Sequence, residues 1–101
     1  MKTIMLVCSA GMSTSLLVTK MQKAAEAEGL EANIFAVAEA EAANHFDEID
    51  VLMLGPQVRF LEGKMKEKLE PKGVPVGVID MTDYGTMNGE KVLASAKELM
   101  K

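Results

Sequence analysis

Thr3-Ile4-Met5-Leu6-Val7-Cys8-Ser9-Ala10-Gly11-Met12-Ser13-Thr14-Ser15-Leu16-Leu17 is the stretch on which the fold turns. Its first five residues are a short apolar run, the pattern of a strand buried on both faces. Residues 8–13 are small and polar and contain Gly11, the composition of a turn. Over residues 14–28 the period lengthens to that of a helix. Leu17, Met21 and Ala24 share one side, Lys20, Lys23 and Glu26 take the other, and Gly29 supplies a stop. A buried strand, a short polar turn and an amphipathic helix together open an α/β unit.

The same alternation continues outward. Residues 31–37, with Ile34, Phe35 and Val37, read as a second strand, and the Ala- and Glu-rich residues 38–46 as a short helix. Residues 49–54 form a third strand that ends at Gly55-Pro56, because proline cannot donate to a ladder. Val58, Leu61, Met65 and Leu69 mark a helix with Arg59, Lys64, Lys66 and Lys68 on its outer side, closed by Pro71 and Gly73. Residues 74–79 give a fourth strand and residues 80–89 a loop. Residues 90–101 give a last helix with Val92, Leu93, Ala96, Leu99 and Met100 on one face. Strands alternating with helices imply parallel pairing through right-handed crossovers. The expected fold is α/β: a three-layer sandwich with a four-stranded parallel sheet flanked by helices, as a single domain over residues 1–101. Ligands of such sheets bind beyond the carboxyl ends of the strands. Three segments leave from that edge, residues 8–13, 55–57 and 80–89.

Composition narrows the function. Eleven Lys and Arg stand against 15 Asp and Glu, a net charge of −4, which disfavours general nucleic-acid binding and a polybasic membrane anchor. The apolar runs are strand-sized, far below the ~20 residues of a membrane helix. The N-terminus carries one positive charge, and Ser9, Ser13 and Thr14 interrupt its apolar run early. It therefore reads as a strand rather than a signal peptide, and a cytoplasmic protein without membrane insertion is expected. The single cysteine makes neither an internal disulfide nor, unaided, a structural zinc site, so no metal or cofactor is expected.

Cys8 is then either a small packing residue or a reactive thiol. Its position favours the second. The N–H groups at the start of a helix lack intrahelical acceptors, and the helix dipole favours negative charge there. A phosphate fits such a cradle. Gly11 admits the backbone turns the cradle needs, while Ser9, Ser13, Thr14 and Ser15 add hydroxyl donors and candidate N-caps. The same position makes the Cys8 sulfur a candidate nucleophile. Between Thr3 and Thr19 there is no Lys, Arg or His. Cysteine phosphatases place an arginine at the end of C-x-x-x-x-x-R to clamp the transferring group; here that position is Thr14. A loop without the clamp holds a phosphoryl group but hydrolyses it poorly, which suits a carrier. A low-molecular-weight cysteine phosphatase-like hydrolase and an anion-binding regulatory module with an inert Cys8 remain the alternative readings.

The run from Leu6 to Leu17 resembles the active-site loop of the IIB components of the sugar phosphotransferase system, lactose/cellobiose (chitobiose) family. Leu54-Gly55-Pro56-Gln57 and Val78-Ile79-Asp80, with Tyr84-Gly85 following, are similar to that family's third and fourth strand ends. The resemblance implies a phosphocysteine at Cys8, held by Ser9, Ala10, Gly11, Met12, Ser13, Thr14 and Ser15. It implies a phosphohistidine donor on a IIA protein and a sugar acceptor, a disaccharide such as cellobiose, chitobiose or lactose, bound by the membrane-embedded IIC component. Peripheral association with the membrane would then come through IIC.

Gln57 and Tyr84 occupy the other two segments of the carboxyl edge, where each either frames the phosphoryl group or a partner, or is structural. Met12 is an adaptable partner contact or a packing residue. His45 is expected to be an ordinary helix-end histidine, and Arg59, Lys64, Lys66 and Lys68 a solvated face or a docking surface. Asp80 and Asp83 are candidates for a phosphatase-like general acid, a role disfavoured without the arginine.

Overall fold

The structure is a computed structural model that describes residues 1–8 and 12–100, with the side chains of residues 12–14 left aside. Strand β1 (Lys2–Cys8) is followed by helix α1 (Met12–Ala27), strand β2 (Ala32–Ala38), the short helix α2 (Glu39–Ala42) and a 3₁₀ turn (Ala43–His45). Strand β3 (Val51–Leu54) leads into a 3₁₀ segment (Pro56–Leu61) and helix α3 (Glu62–Leu69). After a further 3₁₀ turn (Glu70–Lys72) come strand β4 (Val76–Val78), helix α4 (Met81–Gly85) and helix α5 (Gly89–Leu99). The four strands pair in the order β2-β1-β3-β4, and every pairing is parallel. The expected fold class is the observed one.

Each side of the sheet has its own core. Ile4, Leu6, Val51 and Met53 face α1 and α5, meeting Leu17, Met21, Val92, Leu93 and Ala96. Met5, Val7, Leu52 and Leu54 face the other way, toward Phe46, Val58, Leu61, Met65 and Leu69. Because β1 and β3 are covered on both sides, every residue from Ile4 to Val7 and from Val51 to Leu54 is buried, hence the unbroken apolar runs.

Three expectations need correction. Helix α1 begins at Met12 rather than Thr14, so Ser13, Thr14 and Ser15 belong to its first turns and are not caps before it. The segment after β3 is not one continuous helix. Pro56 starts a 3₁₀ turn, Val58 leaves helical geometry (φ −118°, ψ 24°), and regular α-helix begins only at Glu62. Residues 80–89 are not a plain loop, since they contain α4. Gly29 does stop α1. At φ +73° it lets Leu30 N–H reach back to the Ala25 carbonyl, at 2.8 Å. Among the described residues no helix is long and apolar enough to cross a membrane.

Candidate functional site

The sheet changes winding direction between β1 and β3: β2 lies to one side of β1, while β3 and β4 lie to the other. The crevice at the carboxyl end of such a switch point is where open α/β sheets bind ligands. Cys8 is the last residue of β1 and sits at this crevice, 1% exposed. It continues the alternation of Ile4 and Leu6, so its side chain lies on the α1/α5 face. Helix α1 starts four positions later, and its first turn presents N–H groups without intrahelical acceptors at the same edge. Of the candidate cradle residues, Ser9, Ala10 and Gly11 lie outside the described residues, as do the side chains of Met12, Ser13 and Thr14. Ser15 is an exposed helical residue whose carbonyl accepts from the Thr19 hydroxyl at 3.2 Å.

On the β3 side, Val7 pairs with Leu54, and Gly55 N–H donates to the Val7 carbonyl at 2.8 Å. Gly55 therefore lies beside Cys8 on the same face. A Cβ at Gly55 would be 3.6 Å from Cys8 Cβ and only 2.5 Å from Gln57 Oε1. The Gln57 side chain thus folds back over Gly55, into the space that any larger residue there would occupy. From this position Gln57 Nε2 donates to the Tyr84 hydroxyl oxygen at 2.7 Å. The two edge segments singled out from the sequence are joined by this bond, and Gly55 forms the floor beneath it. Sequence reasoning read Gly55 as a strand terminator within an edge segment and did not place it beside Cys8.

Tyr84 is held by α4. Asp80 caps that helix: its carboxylate accepts from Thr82 N–H at 3.0 Å and Asp83 N–H at 3.2 Å, while its carbonyl accepts from Tyr84 N–H at 2.9 Å. A capping role accounts for Asp80 without acid chemistry. The Tyr84 ring is half-buried and packs against the α1/α5 core, on the same side of the sheet as Cys8.

The remaining candidates lie elsewhere. His45 ends the 3₁₀ turn after α2, pairs with Glu48 through Nδ1 and packs edge-on against Phe35, with ring centroids 5.0 Å apart. Lys66 pairs with Glu62 at 3.3 Å and Lys64 with Glu39 at 3.7 Å, as on a solvated face. An open groove of about 320 Å³ runs between α1 and the start of α5, lined by Lys20, Lys23, Met87 and Asn88 among others, and none of the candidate site residues borders it.

Known proteins share this sequence and fold. The family described as PTS system, Lactose/Cellobiose specific IIB subunit matches residues 3–95. The chain is 53% identical over 104 residues to the PTS system galactose-specific EIIB component of Lactococcus lactis subsp. cremoris (strain MG1363), which covers 98% of this chain and 96% of the relative. The identity and coverage are the same for the cellobiose-specific EIIB component of Lactococcus lactis subsp. lactis (strain IL1403). The solution structure of a cellobiose-specific phosphotransferase IIB component protein from Borrelia burgdorferi superposes with a TM-score of 0.80 at 45% identity, covering 98% of this chain and 91% of that one. The lactose-specific IIB component domain from Streptococcus pneumoniae shares the fold, with a TM-score of 0.83 at 19% identity over 99% of this chain and 98% of that one.

Proposed function

Because the chain belongs to the lactose/cellobiose-specific IIB family of the sugar phosphotransferase system, and so to its sugar-specific phosphotransferase components, we propose that Cys8 is the residue that carries the phosphoryl group. The observation that supports this is the position of Cys8, at the end of β1, in the β1/β3 crevice and just ahead of the first turn of α1. The Cys8 sulfur attacks the phosphorus of a phosphohistidine on a IIA protein. The S–P bond forms as the N–P bond breaks, and the imidazole nitrogen leaves with the electron pair. The N–H groups of residues 9–15 hold the phosphoryl oxygens. A hydroxyl of a sugar bound by the membrane IIC component then attacks phosphorus. The O–P bond forms, the S–P bond breaks, and the thiolate is regenerated. Thr14 stands where a phosphatase has its arginine, so water competes poorly for the group.

In this reading the chain acts as one domain at the cytoplasmic side of IIC, and IIC selects the sugar. Two relatives of equal identity are named for galactose and for cellobiose, which fits a IIB domain that presents only a phosphoryl group. The sugar is a disaccharide such as cellobiose, chitobiose or lactose.

The test is mass spectrometry of the chain after incubation with a complete phosphorylating system and, separately, with a phosphate ester alone. One phosphoryl group on Cys8 is expected in the first incubation and no ester turnover in the second. Cys8→Ala should abolish labelling and cost about 1 kcal/mol of stability, as the loss of one buried heavy atom does. Phosphate on a loop serine with Cys8 unmodified overturns the assignment, and steady ester hydrolysis points to a phosphatase.

A further inference from the structure

Gly55 leaves space beside Cys8, and Gln57 fills it. Val7 pairs with Leu54, so the next residues along, Cys8 and Gly55, are neighbours on one face of the sheet. The Gly55 carbonyl accepts from Val58 N–H at 3.0 Å, which closes the turn that carries Gln57. A Cβ at Gly55 would be 2.5 Å from Gln57 Oε1 and 3.6 Å from Cys8 Cβ. The amide oxygen is therefore no farther from Cys8 Cβ than those two lengths laid end to end. A phosphoryl group on the Cys8 sulfur reaches two bonds beyond it, which brings its oxygens into that range.

Gln57 also has a donor to spare. A primary amide carries N–H hydrogens in a pair. One is given to the Tyr84 oxygen, at 2.7 Å, and none of the described residues accepts the other. Both hydrogens lie in the amide plane, which also contains Oε1. The bond to Tyr84 fixes one corner of this plane and the space over Gly55 another, so the amide is held at the crevice with a hydrogen left over. The chain between Thr3 and Thr19 offers a phosphoryl group no cationic side chain, and a neutral N–H stabilises its charge without the paired clamp of an arginine.

We propose that Gln57 is a phosphoryl-binding residue: its amide, held at the Tyr84 oxygen by one Nε2 hydrogen, donates the other to an oxygen of the phosphoryl group on Cys8. The proposal rests on the reading of Cys8 as the phosphocysteine.

The test uses the amide itself. The chain has two glutamines, Gln22 and Gln57. Gln22 Nε2 donates to the Ala32 carbonyl at 3.3 Å, at the start of β2 and so at the opposite edge of the sheet from Cys8. In proton–nitrogen correlation spectra of the labelled chain, taken before and after phosphorylation and with the IIA protein removed, one Gln57 side-chain proton should move clearly downfield while both Gln22 protons stay in place. The Gln57 pair is identified by its absence from Gln57→Leu. Single-turnover transfer from a phosphohistidine-bearing IIA protein should slow roughly tenfold in Gln57→Leu, the low end for one hydrogen bond to a charged group. Gln57→Glu keeps the length of the side chain but puts a negative charge where the donor was, so it should be slower still. Melting temperatures should stay close to the parent's, since Gln57 is exposed. Gln57 protons that stay in place when Cys8 is phosphorylated overturn the proposal, as they would if Gln57 touched only the IIA protein. So does a parent-like rate in Gln57→Leu, and so does a Gln57→Glu variant as fast as Gln57→Leu. Should the parent itself take no phosphate on Cys8, the functional reading fails first and this inference falls with it, a result seen in the parent alone before any variant is compared.

Discussion

Gly55 and Gly89 are both buried glycines at a contact between two segments, yet their neighbours differ in kind. At Gly89 a Cβ would be 2.5 Å from the Lys20 carbonyl carbon and 2.7 Å from the Met21 nitrogen, so the first turn of α5 rests directly on the backbone of α1. At Gly55 the sole close neighbour is Gln57 Oε1, the far end of a flexible side chain; Cys8 Cβ and the Val7 carbonyl are at 3.6 and 3.5 Å, ordinary contact distances. One glycine lets two helices pack, and the other leaves room for an amide at the candidate site. The same substitution separates the two roles. In a close-packed interior a methyl that meets backbone displaces whole elements, while one that meets a mobile side chain displaces that side chain.

Gly89→Ala is the largest effect expected. Helices α1 and α5 must move apart, and overpacking of this kind costs about 1–3 kcal/mol. Differential scanning calorimetry should show a clear fall in melting temperature, roughly 4–8 °C for each kcal/mol in a domain of this size. Phosphoryl transfer at 25 °C should persist in the folded fraction. An unchanged melting temperature would mean that the helices do not touch at Gly89.

Asp80→Ala comes next. It alters neither glycine but removes the acceptor for Thr82 and Asp83 N–H at the start of α4. Loss of such a cap costs about 1 kcal/mol. Because α4 carries Tyr84, this variant should lose both stability and transfer rate, between the pure packing defect at Gly89 and the pure edge defect at Gly55. Urea denaturation and the single-turnover assay check the two halves. A stable variant with a normal rate would remove α4 from the account of the site.

What the sequence made legible follows from where each signal resides. Strands β1 and β3 could be read from Ile4 to Val7 and from Val51 to Leu54 because both faces are covered and polarity never alternates. Helix α1 was legible from Leu17 and Met21, both fully buried, and α5 from Val92, Leu93 and Ala96. The opposite layer was harder, because its helices are short and broken at Val58, where the apolar period continues through a backbone that does not. Helix α4 has five residues, with Met81 64% exposed, so it has no apolar period; its one local signal was Asp80 followed by Asp83. At the candidate site, Cys8 was singled out by the strand-turn-helix pattern. Gly55 did not, since its place beside Cys8 depends on the β1/β3 register. The Gln57–Tyr84 bond links residues 27 apart in the chain and could not be read from either alone.

Gly55→Ala is the smallest effect on stability and the sharpest test of the comparison. The Gly55 backbone, φ −64° and ψ 152°, is open to alanine and suits a residue that precedes proline. At such positions Gly→Ala stabilises by about 0.4–1 kcal/mol through the unfolded chain. Against this stands the loss of one hydrogen bond at an exposed amide, about 0.5–1.5 kcal/mol. The two nearly cancel, so thermal and chemical denaturation should place the variant within about 1 kcal/mol of the parent. Function should not cancel in the same way. The new methyl takes the place of Gln57 Oε1, the amide swings outward, and its bond to Tyr84 is lost. With Gln57 framing the phosphoryl group on Cys8, transfer should then slow, as it should in Gln57→Leu, which lacks the amide altogether, and Gly55→Ala combined with Gln57→Leu should be no slower than either alone. A folded Gly55→Ala variant with parent-like transfer would show that the amide over Gly55 is incidental, and the two glycines would then differ only in what surrounds them.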